Sequence, residues 1–545
     1  MIPSPQSLGF PDKFASWRDE QSHAVREMST AEYRFTGISA STGIGKSGMY
    51  MAYARITGER VLILTATKAL QDQLNADFDA MGIVDLRGKN NYRCHRAEEE
   101  GVGYVSVDNG PCTAGSHCDL KANGCVYFDR VRAAIKARIV VMNYAKWIAM
   151  PDDELGELGK FDTLICDEAH DAERKVTEAL EIVLRKKAVV EAFLPAGHWP
   201  GAKASIVDWR GWARDHRKTA ERAVKDAEGQ VALESHEGTS SGQGARRRAL
   251  ERLKLTREAH YAIRDLCQIH PEQWAIDRNE SSTEITFDPV WPARYTEQYL
   301  FRRISRIFLF SATLTKKDLD VLGAPRDQRS LHVYRSPFVV HRRRIIQVNA
   351  IRLNAKAEQD EEKLAKWMAT IDRLLDSRQD GRNIIIHAVS YRRASYIIHH
   401  SRHRARMMTH TSAPGAVADA VERFKLSHGA ILVSPSVSTG YDFPFAAAET
   451  CIIAKLPFPD TRSPLMQARI SQDREYPAYL TAKELVQMAG RVMRAMNDRG
   501  ETLIVDDSII WFLMSHRHLF PRSWLEAYSR NPNPAPPPRL DLVRT

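Results

Sequence analysis

Residues 40 to 56, ASTGIGKSGMYMAYARI, place a glycine-rich loop immediately before a run of helix-forming residues. This loop-then-helix layout aims backbone N–H groups and a helix N-terminus at a chain of phosphates. Lys46 can then reach the terminal phosphates and Ser47 can offer a hydroxyl to Mg²⁺. Gly43 and Gly45 supply the tight turn, while Ala40 stands where the pattern G-x-x-x-x-G-K-[ST] opens with glycine. About 120 residues on, FDTLICDEAHD ends an apolar run in Asp167, Glu168, Ala169 and His170, the pattern of a buried parallel strand with acids at its end. Together the two segments limit the chain to an α/β fold with parallel strands. They also give Asp167 a place on Mg²⁺ and Glu168 the task of orienting and deprotonating a water that attacks a γ-phosphate.

The chain has 545 residues, too many for one core, and 43 % of them are apolar, which predicts several packed domains. No basic n-region with an apolar run opens it, and runs such as VLILTA fall short of the roughly 20 residues of a membrane helix. A soluble cytoplasmic protein that does not engage a membrane is expected. The formal charge of +10 permits binding to a polyanion without specifying one.

Seven cysteines do not make a disulfide scaffold in a reducing compartment, but Cys94, Cys112, Cys118 and Cys125 form a group. The intervening gaps of 17, 5 and 6 residues contain no C-x₂-C knuckle of the kind that dominates structural zinc sites. The looser spacing favours a [4Fe-4S] cluster. Zinc, with His95 or His117 as substitute ligands, and unligated thiols are the alternatives. Cys166, Cys267 and Cys451 read as buried small hydrophobes.

The order D-E-A-H after A-x-x-G-x-G-K-S resembles superfamily 2 helicases, in which alanine often starts the phosphate loop. LILTATKALQDQL at 62 to 74 resembles motif Ia, FLFSATLT at 308 to 315 motif III, VSTGYDFP motif V and QMAGRVMRA at 487 to 495 motif VI. The cysteine segment resembles that of the XPD/DinG family of iron-sulfur helicases. Its G-[KR]-x-N-Y-x-C signature is matched by Gly88, Lys89, Asn91, Tyr92 and Cys94, and its C-x-Y-F and N-Y returns by Cys125, Tyr127, Phe128, Asn143 and Tyr144. KLPFP resembles the DinG branch.

The resemblance implies two RecA-like parallel-sheet motor domains with ATP between them, an iron-sulfur insert and a helical Arch-like insert. It implies ATP contacts from Gln21, Thr42, Gly43, Gly45, Lys46, Ser47, His170, Gly440 and Asp442. Gln487 would position the nucleotide or its water. Arg491 and Arg494, three apart on one helix face, would act as arginine fingers, worth about 10³ to 10⁵ in rate in comparable enzymes. Ser311, Ala312 and Thr313 would couple ATP state to DNA grip, and Thr67, Lys89 and Arg93 would touch nucleic acid. The expected partner is single-stranded DNA, forked or in an R-loop, tracked 5′ to 3′ by a monomer that protein partners recruit.

The expected division places the first motor at 1–88, the cysteine insert at 89–137, the first motor again at 138–171 and a helical insert at 172–285. The first motor is completed, with a linker, at 286–334. The second motor follows at 335–530, then a disordered Pro-rich tail at 531–545. HEGTSSGQG at 236 to 244 reads as a mobile loop between helices. With Gly43 so near the start, no upstream exonuclease domain and no nuclease activity are expected. Two other functions satisfy the same motifs. One is a DNA-stimulated translocase that clears R-loops or bound proteins without processive unwinding; the other is a zinc-stapled DNA-binding protein switched by nucleotide.

Overall fold

The computed structural model describes residues 2–41, 43–99, 104–114, 117–193, 199–233, 240–279, 281, 283–379, 381–413, 415–435, 448–490 and 499–536. Thr42, Gly440, Asp442, Arg491 and Arg494 lie outside the described residues.

Short apolar runs rich in Ile, Val and Leu form the strands, because only a strand covered on both faces buries such a run completely. In chain order they are β1 (Phe35–Ser39), β2 (Val61–Thr65), β3 (Ile83–Asp85), β4 (Ile139–Asn143) and β5 (Thr163–Cys166), then β6 (Ile182–Arg185), β7 (Trp274–Arg278) and β8 (Glu284–Pro289). After these come β9 (Arg306–Ser311), β10 (Arg329–Val333), β11 (Arg343–Gln347), β12 (Ile384–His387), β13 (Met407–Met408), β14 (Ile431–Ser434), β15 (Thr450–Ile453), β16 (Gly500–Ile504) and β17 (Tyr528–Arg530). Two seven-stranded sheets result, ordered β10-β1-β9-β5-β2-β4-β3 and β13-β14-β12-β15-β16-β11-β17. Their pairings are parallel throughout.

The two-residue period of a strand divides each sheet's side chains between two cores. On β2, Leu62 and Leu64 enter one core of the first motor while Val61 and Ile63 enter the other. In the second motor Ile385 faces one core, and Ile384 and Ile386 the other. The α/β architecture of two parallel-sheet domains is therefore as expected.

The cysteine segment is not an independent unit. Cys94, Ala97, Val107 and Tyr127 pack into one core of the first motor, as befits a stretch too polar to build a core of its own.

The segment expected as a helical insert at 172–285 contains strands as well as helices. Two long helices, Ile206–Leu233 and Ser240–Gln268, pack on each other, but β6, β8 and β7 add a three-stranded antiparallel sheet beneath them. Trp209, Trp212, Ile263, Leu266 and Phe287 build its core. The segment expected as a loop at 236 to 244 is helical from Ser240 onward. Arg257, on the second long helix, donates to the Thr113 carbonyl at 2.6 Å and so ties this insert to the cysteine segment. The start of the Pro-rich tail is also held: Arg378 and Arg344 donate to the Pro534 and Ala535 carbonyls. Among the described residues no helix is long and apolar enough to cross a membrane.

Candidate nucleotide site and motor interface

β1, β9 and β5 are adjacent and parallel, so their C-terminal ends share one edge of the first sheet. The phosphate loop leaves β1, the Ser-Ala-Thr block leaves β9 and the D-E-A-H run leaves β5. The crevice at the carboxyl end of a parallel sheet is where such a fold binds its ligand.

Gly43 and Gly45 adopt φ of +75° and +89°, and Gly45 caps the helix Lys46–Thr57. A Cβ on Gly45 would lie 2.3 Å from Nε2 at the end of the Gln21 side chain, which would have to shift. Gln21 is buried, donates to the Gly45 carbonyl at 3.4 Å and accepts from the Arg18 backbone N–H. Arg18 reaches the Gly43 carbonyl at 2.5 Å. Here Gln21 braces the phosphate loop. Arg18, which sequence reasoning missed, shares that task; its contact spans 25 residues and leaves no local pattern.

Lys46 Nζ lies 3.0 Å from Glu168 Oε1. Tyr50 donates to Asp167 Oδ2 at 3.4 Å and also interacts with Ser47, so one phenol bridges the two residues expected on Mg²⁺. Tyr144 donates to the Asp167 carbonyl and anchors the turn. Glu168 is held at φ +48°, a left-handed conformation of the kind that clusters at functional sites. Burial would raise its carboxyl, but the Lys46 ammonium and His170 beside it hold it well below the ordinary range. Burial and the neighbouring Glu168 charge push Asp167 upward instead. Two adjacent carboxyls with one lysine between them settle as one ionised group and one reluctant one.

His170 continues the path. Its Nδ1 lies 3.2 Å from Glu168 Oε2 and 2.8 Å from Ser311 Oγ. Ser311 Oγ lies 3.1 Å from Thr313 Oγ1, which accepts from Gln487 Nε2 at 3.3 Å. Lys46, Glu168, His170, Ser311, Thr313 and Gln487 therefore form one connected series from the phosphate loop into the second motor. Ser41, Thr313, Arg343, Gln487 and Trp524 line the cleft between the motors at this level.

The other candidates are placed as follows. Thr67 caps the helix Lys68–Phe78 by accepting from the Leu70 N–H. Lys89 pairs with Glu154 at 2.6 Å and lies over the Tyr127 ring, so its charge is already engaged. Arg93 is exposed, paired with Glu98 and set over Tyr104. Cys94 is buried, and Cys112, Cys118 and Cys125 are half-buried. Burial raises the Cys94 and Cys112 thiols, with Lys121 opposing the rise at Cys112. A Cβ on Gly110 would sit 2.6 Å from Cys94 Sγ, so glycine leaves that sulfur its space. The four cysteines offer only sulfur donors, and among the described residues no group of three or more Cys, His, Asp and Glu is placed to hold a metal ion. His95 and His117 are exposed, the latter paired with Asp119.

Comparison with known proteins agrees with this layout. Residues 371–527 match the helicase C-terminal domain family, and residues 14–194 match the family of the type III restriction enzyme res subunit. A probable ATP-dependent helicase of Methanocaldococcus jannaschii is 22 % identical over 86 % of this chain and 88 % of its own length. A solved XPD helicase superposes with a TM-score of 0.61 at 14 % identity, covering 94 % of this chain and 99 % of that one. Xpd4 of S. tokodaii does so with a TM-score of 0.56 at 12 % identity, covering 94 % and 100 %. The chain thus has the fold of the solved XPD helicases, with a helicase C-terminal domain match over its second parallel sheet and a restriction-enzyme subunit match over most of its first.

Proposed function

We propose that the protein is a DNA helicase that hydrolyses ATP to move 5′ to 3′ along single-stranded DNA and to separate duplex at forks or R-loops. The series from Lys46 to Gln487 carries this reading, because it gives the second motor a direct line to the hydrolytic carboxylate. DNA as the track, and the polarity, rest on the resemblance to the XPD/DinG family.

In the proposed cycle, Lys46 exchanges its ion pair with Glu168 for the terminal phosphates of ATP. The freed Glu168 carboxylate orients the attacking water and takes its proton. Ser47 and Asp167 would hold Mg²⁺, which would neutralise charge on the phosphates. His170 keeps Glu168 aligned and passes its position to Ser311 and Thr313, while Gln487, with Arg491 and Arg494 following it, responds from the second motor. Alternate closing and opening of the cleft then advances the protein along the strand.

Cys94, Cys112, Cys118 and Cys125 would hold a [4Fe-4S] cluster that cross-links the insert. Because Cys94 belongs to the first motor's core, such a cluster would fix the insert to the motor.

The test is unwinding of forks bearing a single 5′ or 3′ tail, with Glu168→Gln as control and iron and zinc content measured on anaerobically purified protein. The proposal expects ATP-dependent unwinding of the 5′-tailed fork only, about four irons per chain, and no unwinding by the variant. Hydrolysis without strand separation points instead to a translocase, and one zinc without iron removes the cluster.

A further inference from the structure

The helix Tyr476–Ala489 turns one polar stripe away from its own domain. Tyr476, Tyr479, Lys483 and Gln487 recur at spacings of three and four and so share a face. Tyr479, Lys483 and Gln487 bond to the first motor, and Tyr476 to the helix Ala172–Leu180, whose Ala172 and Val176 pack into that motor's core. Tyr476 donates to Glu173 Oε1 at 2.6 Å, Tyr479 donates to Asp318, Lys483 Nζ lies 3.4 Å from Asp318 Oδ1, and Gln487 donates to Thr313. Arg469, on the preceding helix Pro464–Gln472, is buried in the same joint. Its guanidinium donates to Glu173 at 2.8 Å, to Thr177 Oγ1 at 3.1 Å, to the Val290 carbonyl at 2.7 Å and to the Tyr476 hydroxyl at 2.8 Å. Lys317 and Asp473 add a further ion pair across the boundary.

The two acids at this joint have telling positions. Glu173 lies in the helix Ala172–Leu180, three residues beyond His170. Asp318 lies in the helix Lys316–Val321, five residues beyond Thr313. Each tyrosine thus grips an acid attached by about one turn of chain to a member of the connected series at the nucleotide site. Val290 ends the return of the chain from the long-helix insert, so Arg469 also joins that insert to the second motor.

A joint built only for cohesion has little reason to bury charges, since replacing a buried ion pair by apolar side chains is often neutral or stabilising. Directional hydrogen bonds offer something apolar contact does not, namely a fixed register, and a misplacement of about 1 Å remote from the chemistry can cost about 100-fold in rate. We infer that Tyr476, Tyr479 and Arg469 are positioning residues that set the helix Tyr476–Ala489 in register on the first motor, so that Gln487 meets Thr313 when the motors close. Hydrolysis is thereby made to depend on how the second motor is docked.

This inference rests on the helicase reading above, and the experiment separates the two. Tyr476→Phe, Tyr479→Phe and the double variant of the full chain lose only hydroxyls and keep their rings. The Tyr476 ring meets Trp291 edge-on with centroids 5.0 Å apart, a contact that Tyr476→Phe retains. Asp318 keeps Lys483 and Thr315 as partners when the Tyr479 hydroxyl is removed. The readouts are kcat and KM for ATP with single-stranded DNA, and the thermal midpoint.

The double variant is expected to lose about tenfold in kcat with KM within about twofold, the signature of an interaction made on the way to the transition state, and with its midpoint within a few degrees of wild type. Arg469→Lys, which keeps the charge but not the fork, should fall between wild type and Arg469→Gln. Unchanged kcat, or a parallel decline of kcat, KM and midpoint, overturns the inference while leaving a DNA-stimulated wild type intact. A wild type whose hydrolysis ignores DNA overturns the helicase reading and the inference with it.

Discussion

His170 Nδ1 lies 2.8 Å from Ser311 Oγ, joining the last residue of the D-E-A-H run to the Ser-Ala-Thr block 141 residues further on. Because β5 and β9 are adjacent and parallel, the contact is made at the ends of two neighbouring strands. Ser311→Ala should therefore leave ATP binding nearly intact and lower DNA-stimulated kcat about 10- to 100-fold, a loss of about 1.4 to 2.7 kcal/mol in transition-state stabilisation. Steady-state hydrolysis and nucleotide binding, measured side by side, check this split.

Asp167 predicts a conflict between stability and function. Burial and Glu168 raise its folded carboxyl above the unfolded value. Its contribution is therefore complete at pH below the ordinary carboxylate range and is lost as pH rises through the raised folded value. At pH 8 without Mg²⁺, Asp167→Asn should melt higher than wild type while having lost hydrolysis. The advantage should shrink towards pH 4, where wild-type Asp167 is itself protonated. Thermal melts across that range provide the test.

Gly45→Ala should damage the phosphate loop through its backbone. The residue sits at φ +89°, where a side chain costs about 1 to 2 kcal/mol, and the end of the Gln21 side chain would have to shift from the loop it braces. ATP affinity is expected to fall at least about tenfold with the global fold retained, as judged by titration calorimetry and circular dichroism.

In the second motor, Arg378 and Glu501 form a buried ion pair, and Thr450 also donates to Glu501. Removing Arg378 leaves Glu501 buried with Arg344 and Thr450 as its remaining partners, so Arg378→Ala should destabilise by about 1 to 3 kcal/mol. Replacing both by Met and Leu should recover most of that loss in denaturant unfolding.

Residues whose chemistry demands a particular type at a fixed spacing were readable in the sequence. Lys46 and His170 lie beside Glu168, and Tyr50 links Ser47 to Asp167, so these segments come together at the strand ends. Contacts that depend on tertiary placement were not: Lys89 finds Glu154 65 residues away, and Arg469 finds Glu173 across the motor boundary. β6 was hidden because its four residues, IVLR, lie between helical segments whose charged pattern absorbs them. Ser240 to Gly244 look like a loop by composition, yet they begin a 29-residue helix whose later turns pack on its neighbour. In that case propagation from a packed helix outweighs local propensity.

The most direct test of the account is the rate of ATP hydrolysis by the wild-type chain with and without single-stranded DNA, alongside Glu168→Gln. The account predicts stimulation of about tenfold or more, and a variant slower by about 10² to 10⁴ that still binds ATP. A wild-type rate indifferent to DNA, or a variant as fast as wild type, would contradict it.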